Sequence, residues 1–111
     1  MSREDWAEIM QDEPPAELAD AYLEFTGRVF DDVWTRPGLG RRERRMTTLT
    51  CIAVGGGGGA LEYHVRAALA SGDFTVEELV EWCVHLAHYG GWPVSADAYM
   101  AVQQARAELD L

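Results

Sequence analysis

Apolar residues recur at helical spacing along most of this chain, and that periodicity limits the fold more than any other feature. No stretch rich in Val, Ile and Thr alternates with period two between turn residues, as a strand would. The sequence therefore predicts an all-α protein. The first long helix is predicted from Pro15 to about Trp34, because Pro is favoured in a first helical turn. Its expected buried stripe comprises Leu18, Tyr22, Phe25, Val29 and Val33, widened by Leu23 and Phe30.

Arginine and glycine mark the limits of the next two helices. A second helix is predicted to begin in the Arg-rich segment 41–45 and to continue to about Ala53. Five consecutive glycines at 55–59 end it, because Gly readily takes the backbone conformation of a helix C-terminus. A third helix is predicted over residues 60–70, closed by the Ser-Gly pair that follows.

A capping motif marks the fourth helix. Thr75 and Glu78 form a capping box, in which each side chain binds the backbone N–H of the other. Phe74 and Leu79 fit the hydrophobic staple around it, and the helix is predicted to run to about Tyr89. A last helix follows the GGWP stretch at 90–93, with the buried stripe Val94, Ala98, Ala101, Ala105 and Leu109.

Together these segments predict one domain over residues 1–111, a helical bundle of five to six helices. Residues 1–13 are expected to form a short helix or a docked arm. The final helix is rich in Ala and the chain contains 4 Trp. Because this is more apolar surface than a small monomer easily covers, we expect the protein to self-associate through helix faces.

The charge balance excludes several partners and chemistries. The chain has 19 Asp and Glu against 9 Arg, a net charge of −10, and no Lys. Repulsion therefore opposes encounter with nucleic acid or an anionic membrane, and Schiff-base chemistry and a Walker phosphate loop are excluded. No apolar run approaches the about 18–20 residues of a membrane helix, and the first residues do not resemble a secretory signal. We expect a cytoplasmic protein in which Cys51 and Cys83 are buried thiols.

The three histidines are the side chains that titrate near neutral pH without perturbation. The predicted helix places His85 on one face with Glu81, Trp82, His88 and Tyr89. Such a strip fits a pocket wall and equally fits a solvated helix face. No third histidine or carboxylate completes a local metal-binding set with His85 and His88, so no metal site is expected.

The segment 41–45 is the one basic island in an acidic chain. It is either a solvated helix start or a site that binds a carboxylate substrate. Cations are unfavourable at the positive end of a helix dipole, which slightly favours the functional interpretation. The glycine run lacks the Gly-Lys-Ser/Thr ending of a phosphate loop, so we interpret it as a hinge.

An ordered set of motifs between about Phe30 and Ala105 resembles the carboxymuconolactone decarboxylase family. The matching stretches are 34–39 (WTRPGL), 41–44 (RRER) with 47–49 (TTL), 61–69 (LEYHVRAAL) and 75–79 (TVEEL). The stretch 85–93 (HLAHYGGWP) is similar to His-Leu-Ala-Phe-Tyr-x-Gly-Trp-Pro of the decarboxylase branch, with His88 where Phe is usual. The resemblance implies an alkylhydroperoxidase D-like helical fold, assembly as trimers or hexamers, and no metal or organic cofactor.

The peroxidase branch of the same fold family uses a Cys-x-x-Cys pair before a histidine and an upstream glutamate. Counted back from His64, those positions hold Gly57, Ala60 and Arg45 here. A peroxidase mechanism through adjacent thiols is therefore not expected.

The resemblance implies a cofactor-independent decarboxylase that acts on a carboxylated γ-lactone, 4-carboxymuconolactone or a related acid. The residues it implies for the site are catalytic His64 and His85, substrate-binding Arg36 and Arg44, and the pocket walls Tyr89 and Trp92. Two alternatives stay open: an isomerase or hydrolase on the same scaffold, or a non-catalytic oligomeric protein that binds a small acid.

Overall fold

The structure is a computed structural model that describes residues 2–16 and 20–111. The described ranges contain seven α-helices and no strand, which confirms the all-α class. The helices are α1 (Arg3–Met10), α2 (Asp20–Thr26), α3 (Arg28–Asp32), α4 (Arg41–Val54), α5 (Gly59–Ala70), α6 (Val76–Tyr89) and α7 (Trp92–Glu108).

The N-terminal segment forms a short helix that packs on the rest of the chain. Ser2 caps α1 by accepting a hydrogen bond from the Asp5 backbone N–H at 3.1 Å. Ile9 and Met10 at the end of α1 are buried. They belong to a small apolar cluster with Phe30, Trp34 and Ala67.

The prediction of one helix over residues 15–34 is wrong. The segment is interrupted at Gly27, which separates α2 from α3, because Gly is a weak helix former. The predicted stripe is wrong in part: Tyr22 is 64% exposed and Phe25 is 79% exposed, and Val29 and Val33 are exposed as well. Leu23 and Phe30, which were predicted to widen the stripe, are buried, and so is Trp34. Leu18 lies outside the described residues.

The later helices match the predicted boundaries within one or two residues. The capping box at the start of α6 is present, with Thr75 Oγ1 accepting from the Glu78 N–H at 3.1 Å and Glu78 Oε1 accepting from the Thr75 N–H at 2.9 Å. The glycine run between α4 and α5 includes positive φ angles at Gly56, Gly57 and Gly58. Only Gly adopts such a sequence of angles easily, so these residues set the turn between the two helices.

The main hydrophobic core lies between α4, α5, α6 and α7. Each helix contributes a fully buried side chain: Leu49, Val65, Leu79 and Val102. The predicted stripe of α7 is confirmed, since Ala98, Ala101 and Ala105 are buried and Val94 and Leu109 pack against the core. Small Ala side chains let α5 and α6 approach α7 closely.

The prediction of buried thiols is correct for one of the two cysteines. Cys83 is buried, but Cys51 is exposed, so the prediction of two buried thiols is wrong for Cys51. No helix within residues 2–16 and 20–111 is long and apolar enough to cross a membrane.

Candidate active site

A groove of about 600 Å³ opens between α4 and α6. Met46 and Thr50, one turn apart on α4, form one wall. Phe74 lies at one end, before the cap of α6. The α6 wall consists of Glu78, Glu81, Trp82, His85, Leu86 and Tyr89. Most of the lining is apolar, and His85 is the only histidine in it.

His85 is the titratable group best placed for proton transfer in this groove. Its imidazole is exposed and stacks on the Tyr89 ring, with 5.0 Å between ring centroids and 15° between the planes. The stack follows from the helix, which places residues four apart on one face. Across the groove, Trp82 Nε1 donates a hydrogen bond to Thr50 Oγ1 at 3.1 Å and ties α6 to α4. The imidazole therefore stacks on an exposed tyrosine ring, one turn from the tryptophan that links α6 to α4.

The guanidinium group near the groove belongs to Arg42, which lies in the basic segment 41–45 but was not among the residues predicted to bind substrate. Arg42 Cζ lies 4.3 Å from the centroid of the Phe74 ring. Its Nη2 donates to Glu78 Oε2 at 2.8 Å, and its Nη1 donates to the Asp73 backbone carbonyl. Arg42 also lines an adjoining depression that shares Met46 and Phe74 with the groove. The signal was available, because Arg42, Met46 and Thr50 follow one another at four-residue spacing.

The charge of Glu78 is fixed by the same contact. The hydrogen bond from Arg42, together with that from the Thr75 backbone, lowers the pKa of Glu78 to about 2. Glu78 is therefore a carboxylate at any physiological pH, paired with the guanidinium of Arg42.

The two arginines predicted to bind substrate do not line this groove. Arg36 is exposed in the turn before α4. Arg44 is half-buried, and its Nη2 donates to the backbone carbonyl of Arg36 at 3.1 Å. The structure thus brings Arg36 and Arg44 together, but it does not place either of them against His85.

The two aromatic residues predicted to line one pocket lie in two different grooves. Tyr89 lines the groove of His85, whereas Trp92 lines a second groove of about 330 Å³ between α6 and α7. His88 lies in that second groove, so the shared strip predicted for His85 and His88 is divided between two sides of α6. Cys83 also lines it, and burial raises the pKa of that thiol to about 11, which keeps it protonated.

His64 stands outside both grooves, on α5. It is half-buried, and the edge of its ring contacts the neighbouring Tyr63 ring with centroids 6.2 Å apart. Burial, with the positive charge of Arg45 as a second cause, lowers the pKa of His64 to about 4. At neutral pH this imidazole is uncharged, and its buried Nδ1 has no hydrogen-bond partner in the described structure.

Arg45 is a fully buried charge, which the sequence analysis did not foresee. Its Nε and Nη2 donate to Asp73 Oδ2 at 3.2 and 3.0 Å. Its guanidinium carbon lies 4.9 Å from the centroid of the Trp34 ring. A periodic pattern assigns Arg to a surface, and only the tertiary contacts with Asp73 and Trp34 explain its burial.

No group of three or more His, Cys, Asp or Glu side chains that could hold a metal ion occurs within residues 2–16 and 20–111. The groove offers the imidazole of His85, the phenol of Tyr89 and the carboxyl groups of Glu78 and Glu81, with the guanidinium of Arg42 in the adjoining depression. These groups can transfer a proton, stabilise an oxyanion and bind a carboxylate.

Comparison with known proteins places the chain in a family. The model of the carboxymuconolactone decarboxylase family matches residues 16–104. A curated relative, the 4-carboxymuconolactone decarboxylase of Acinetobacter baylyi, is 32% identical over 80 residues, which cover 72% of this chain and 59% of that protein. The match thus spans less than two thirds of the relative's length, and no solved structure matches the chain. The chain belongs to the carboxymuconolactone decarboxylase family.

Proposed function

We propose that this protein is a cofactor-independent decarboxylase that acts on a carboxylated γ-lactone, 4-carboxymuconolactone or a related acid. The family and the name of the Acinetobacter baylyi relative support a decarboxylase-like activity. The observation that carries the proposal is the placement of His85, exposed and stacked on Tyr89, in a largely apolar groove that Arg42 adjoins.

The proposed reaction uses these groups as follows. Loss of CO₂ breaks a carbon–carbon bond, and the electron pair of that bond moves into a dienolate conjugated with the lactone carbonyl. His85 in its imidazolium form stabilises the oxyanion and then donates its proton to carbon. The lactone carbonyl itself accepts the electron pair, so the step needs no metal or organic cofactor.

Arg42 takes the carboxylate-binding role in this proposal. A guanidinium binds a carboxylate through paired N–H groups, and Arg42 stacks on Phe74, which lines both the groove and the adjoining depression. His64 was expected to share the proton-transfer and oxyanion roles, but it does not line the groove. The proposal therefore relies on His85 alone for the proton.

The test is CO₂ release from 4-carboxymuconolactone by the purified protein, with the product identified by NMR. We expect release by the wild-type protein. In Arg42→Gln, we expect KM to rise by about tenfold, because one charge-assisted carboxylate contact is lost. Arg28→Gln is the matched control, since Arg28 is exposed on α3 and lines neither groove.

Two results would contradict the proposal. The first is no CO₂ release by folded protein. The second is equal KM values in Arg42→Gln and Arg28→Gln. Tight binding of the lactone without turnover would instead favour the non-catalytic small-acid-binding protein, and a rearranged or ring-opened product without CO₂ would favour the isomerase or hydrolase.

A further inference from the structure

The groove of His85 contains a carboxylate that is not part of any ion pair. Glu81 lies one turn before His85 on α6 and lines the groove. It is exposed, and within residues 2–16 and 20–111 its carboxyl group makes no hydrogen bond or salt bridge. The other carboxylate of the groove, Glu78, lies 2.8 Å from Nη2 of Arg42. Glu81 therefore gives the groove a negative charge that no arginine balances.

One guanidinium is available to a ligand in this part of the molecule. Among the described residues, Arg42 is the only arginine that lines the groove or the adjoining depression. Its Nη1 and Nη2 donate to the Asp73 carbonyl and to Glu78. The side chain is nevertheless 50% exposed and carries five N–H donors. One ligand carboxylate can thus reach Arg42, whereas a second one finds no other guanidinium.

His85 does not supply the missing positive charge for a second carboxylate. When its imidazole is protonated, the positive charge lies one turn from Glu81 on the same face of α6. The two charges then balance each other, as those of Arg42 and Glu78 do. A ligand with two carboxylates would therefore place its second negative charge beside Glu81 without a counter-charge.

The rest of the groove favours an uncharged ligand body. Most of its lining consists of the side chains Met46, Phe74, Trp82, Leu86 and Tyr89. Such walls offer few hydrogen bonds to replace the hydration of a charged group. They also screen repulsion between like charges less than water does. The groove has a volume of about 600 Å³, which is within the range of small-molecule sites.

We infer that Glu81 determines the charge of the acid that the groove accepts. The favoured ligand carries one carboxylate, bound by Arg42, on an apolar body of about the size of a ring. A second carboxylate is repelled by Glu81. The inference rests on the proposed function, because it gives Arg42 the same carboxylate-binding role, and it narrows the substrate class to monocarboxylates. Since 4-carboxymuconolactone has two carboxyl groups, a related lactone with one is the better substrate.

The experiment is an NMR titration of the wild-type protein with benzoate and, separately, with terephthalate. It is carried out at about pH 7.5, where both probes are fully ionised, and at constant ionic strength. The probes share a ring and differ by one carboxylate. Binding is followed on the ring signals of His85, assigned from His85→Gln, with His88 of the second groove as an internal control. We expect terephthalate to bind about fivefold more weakly than benzoate, because of repulsion by Glu81.

Two variants separate a local effect of Glu81 from an effect of total charge. Glu81→Gln should reduce the preference for benzoate to about twofold or less, because the repelling charge is gone. Glu77→Gln removes the same charge from the same helix, but Glu77 is exposed and lines a different depression, beside Arg106. This control should keep the preference at about fivefold.

The inference is overturned if neither probe shifts His85, if His88 shifts as much as His85, or if both probes bind equally well. A preference that survives in Glu81→Gln, or that Glu77→Gln reduces by the same factor, would also contradict it. Failure of the proposed function has a different signature. Preference for benzoate without CO₂ release from any lactone would contradict the reaction alone, whereas CO₂ release with equal binding of the probes would contradict the role of Glu81 alone.

Discussion

The burial of His64 makes the free energy of unfolding of the protein depend on pH. Its pKa is lowered from 6.5 to about 4 in the folded protein, first by burial and then by the charge of Arg45. Between these two values the unfolded chain binds a proton at His64 and the folded chain does not. The free energy of unfolding therefore falls as pH drops from 6.5 toward 4. Above pH 6.5 His64 is neutral in both states, so it does not lower the stability of the fold.

We accordingly predict that His64→Gln flattens the pH dependence of stability. The wild-type penalty approaches about 3 kcal/mol at the acid end of the window, and the variant should lack most of it. Urea unfolding between pH 6.5 and 4.5 measures this effect, and the lowered pKa of Glu78 acts only below that range. Equal slopes for the two proteins would contradict the protonation state assigned to His64.

Arg42 and Arg45 show which contacts of a side chain can be predicted from a single sequence and which cannot. The position of Arg42 could have been predicted, because its four-residue spacing to Met46 and Thr50 places it on the α4 face that adjoins the groove. The position of Arg45 could not be predicted from the sequence. Its burial depends on Asp73, 28 positions away in the chain, and on the ring of Trp34. No local pattern contains that information.

The capping box that made helix α6 predictable from the sequence also fixes where the helix begins in the structure. The capping box satisfies two backbone N–H groups that would otherwise lack an intrahelical partner. Phe74 and Leu79, on either side of the cap, are both buried. This start determines where the α6 wall of the groove begins, and hence the position of His85 three turns later.

Thr75→Ala should therefore cost about 1 kcal/mol of the free energy of unfolding. Thr47→Ala is a matched control, because Thr47 is exposed within α4 and bonds only the carbonyl of Glu43 one turn earlier. The control should change stability by only a few tenths of a kcal/mol. Urea denaturation followed by circular dichroism compares them, and equal losses in both variants would show that the cap does not stabilise α6.

The helices from α4 onward were predictable because glycines, a cap and a small-residue stripe define them locally. The segment 15–34 was not, because it carries apolar residues on more than one face. The sequence alone could not say which face the rest of the molecule covers. The structure buries Leu23, Phe30 and Trp34 and leaves Tyr22 and Phe25 exposed. Phe30 and Trp34 are buried because they pack with residues of α1 and α5.

Within residues 2–16 and 20–111, exposed apolar side chains concentrate in two parts of the molecule. On α2, α3 and the residue after α3, the exposed side chains are Tyr22, Phe25, Val29 and Val33. On α6 and α7 they are Val84, Trp92, Tyr99 and Met100. We propose that these surfaces support self-association as a trimer or hexamer, because two different patches on one chain can join head to tail and close a ring.

Phe25→Asp should then reduce the assembly to smaller species, since it places a charge in the exposed centre of the first surface. Val54→Asp is the control, because Val54 is an exposed apolar residue outside both surfaces. Sedimentation velocity at micromolar concentration measures the size of the assembly in each protein. A wild-type protein that sediments as a monomer would contradict the proposal, and so would assembly unchanged by Phe25→Asp.

The fold as a whole places His85 and His88 in different grooves on two sides of α6, and this separation provides the most direct test of the proposed active site. The measurement is kcat/KM for CO₂ release from 4-carboxymuconolactone by His85→Ala and by His88→Ala. We predict a loss of more than about tenfold in His85→Ala and a value within about twofold of wild type in His88→Ala. Unchanged turnover in folded His85→Ala would contradict the assignment of the reaction to this groove.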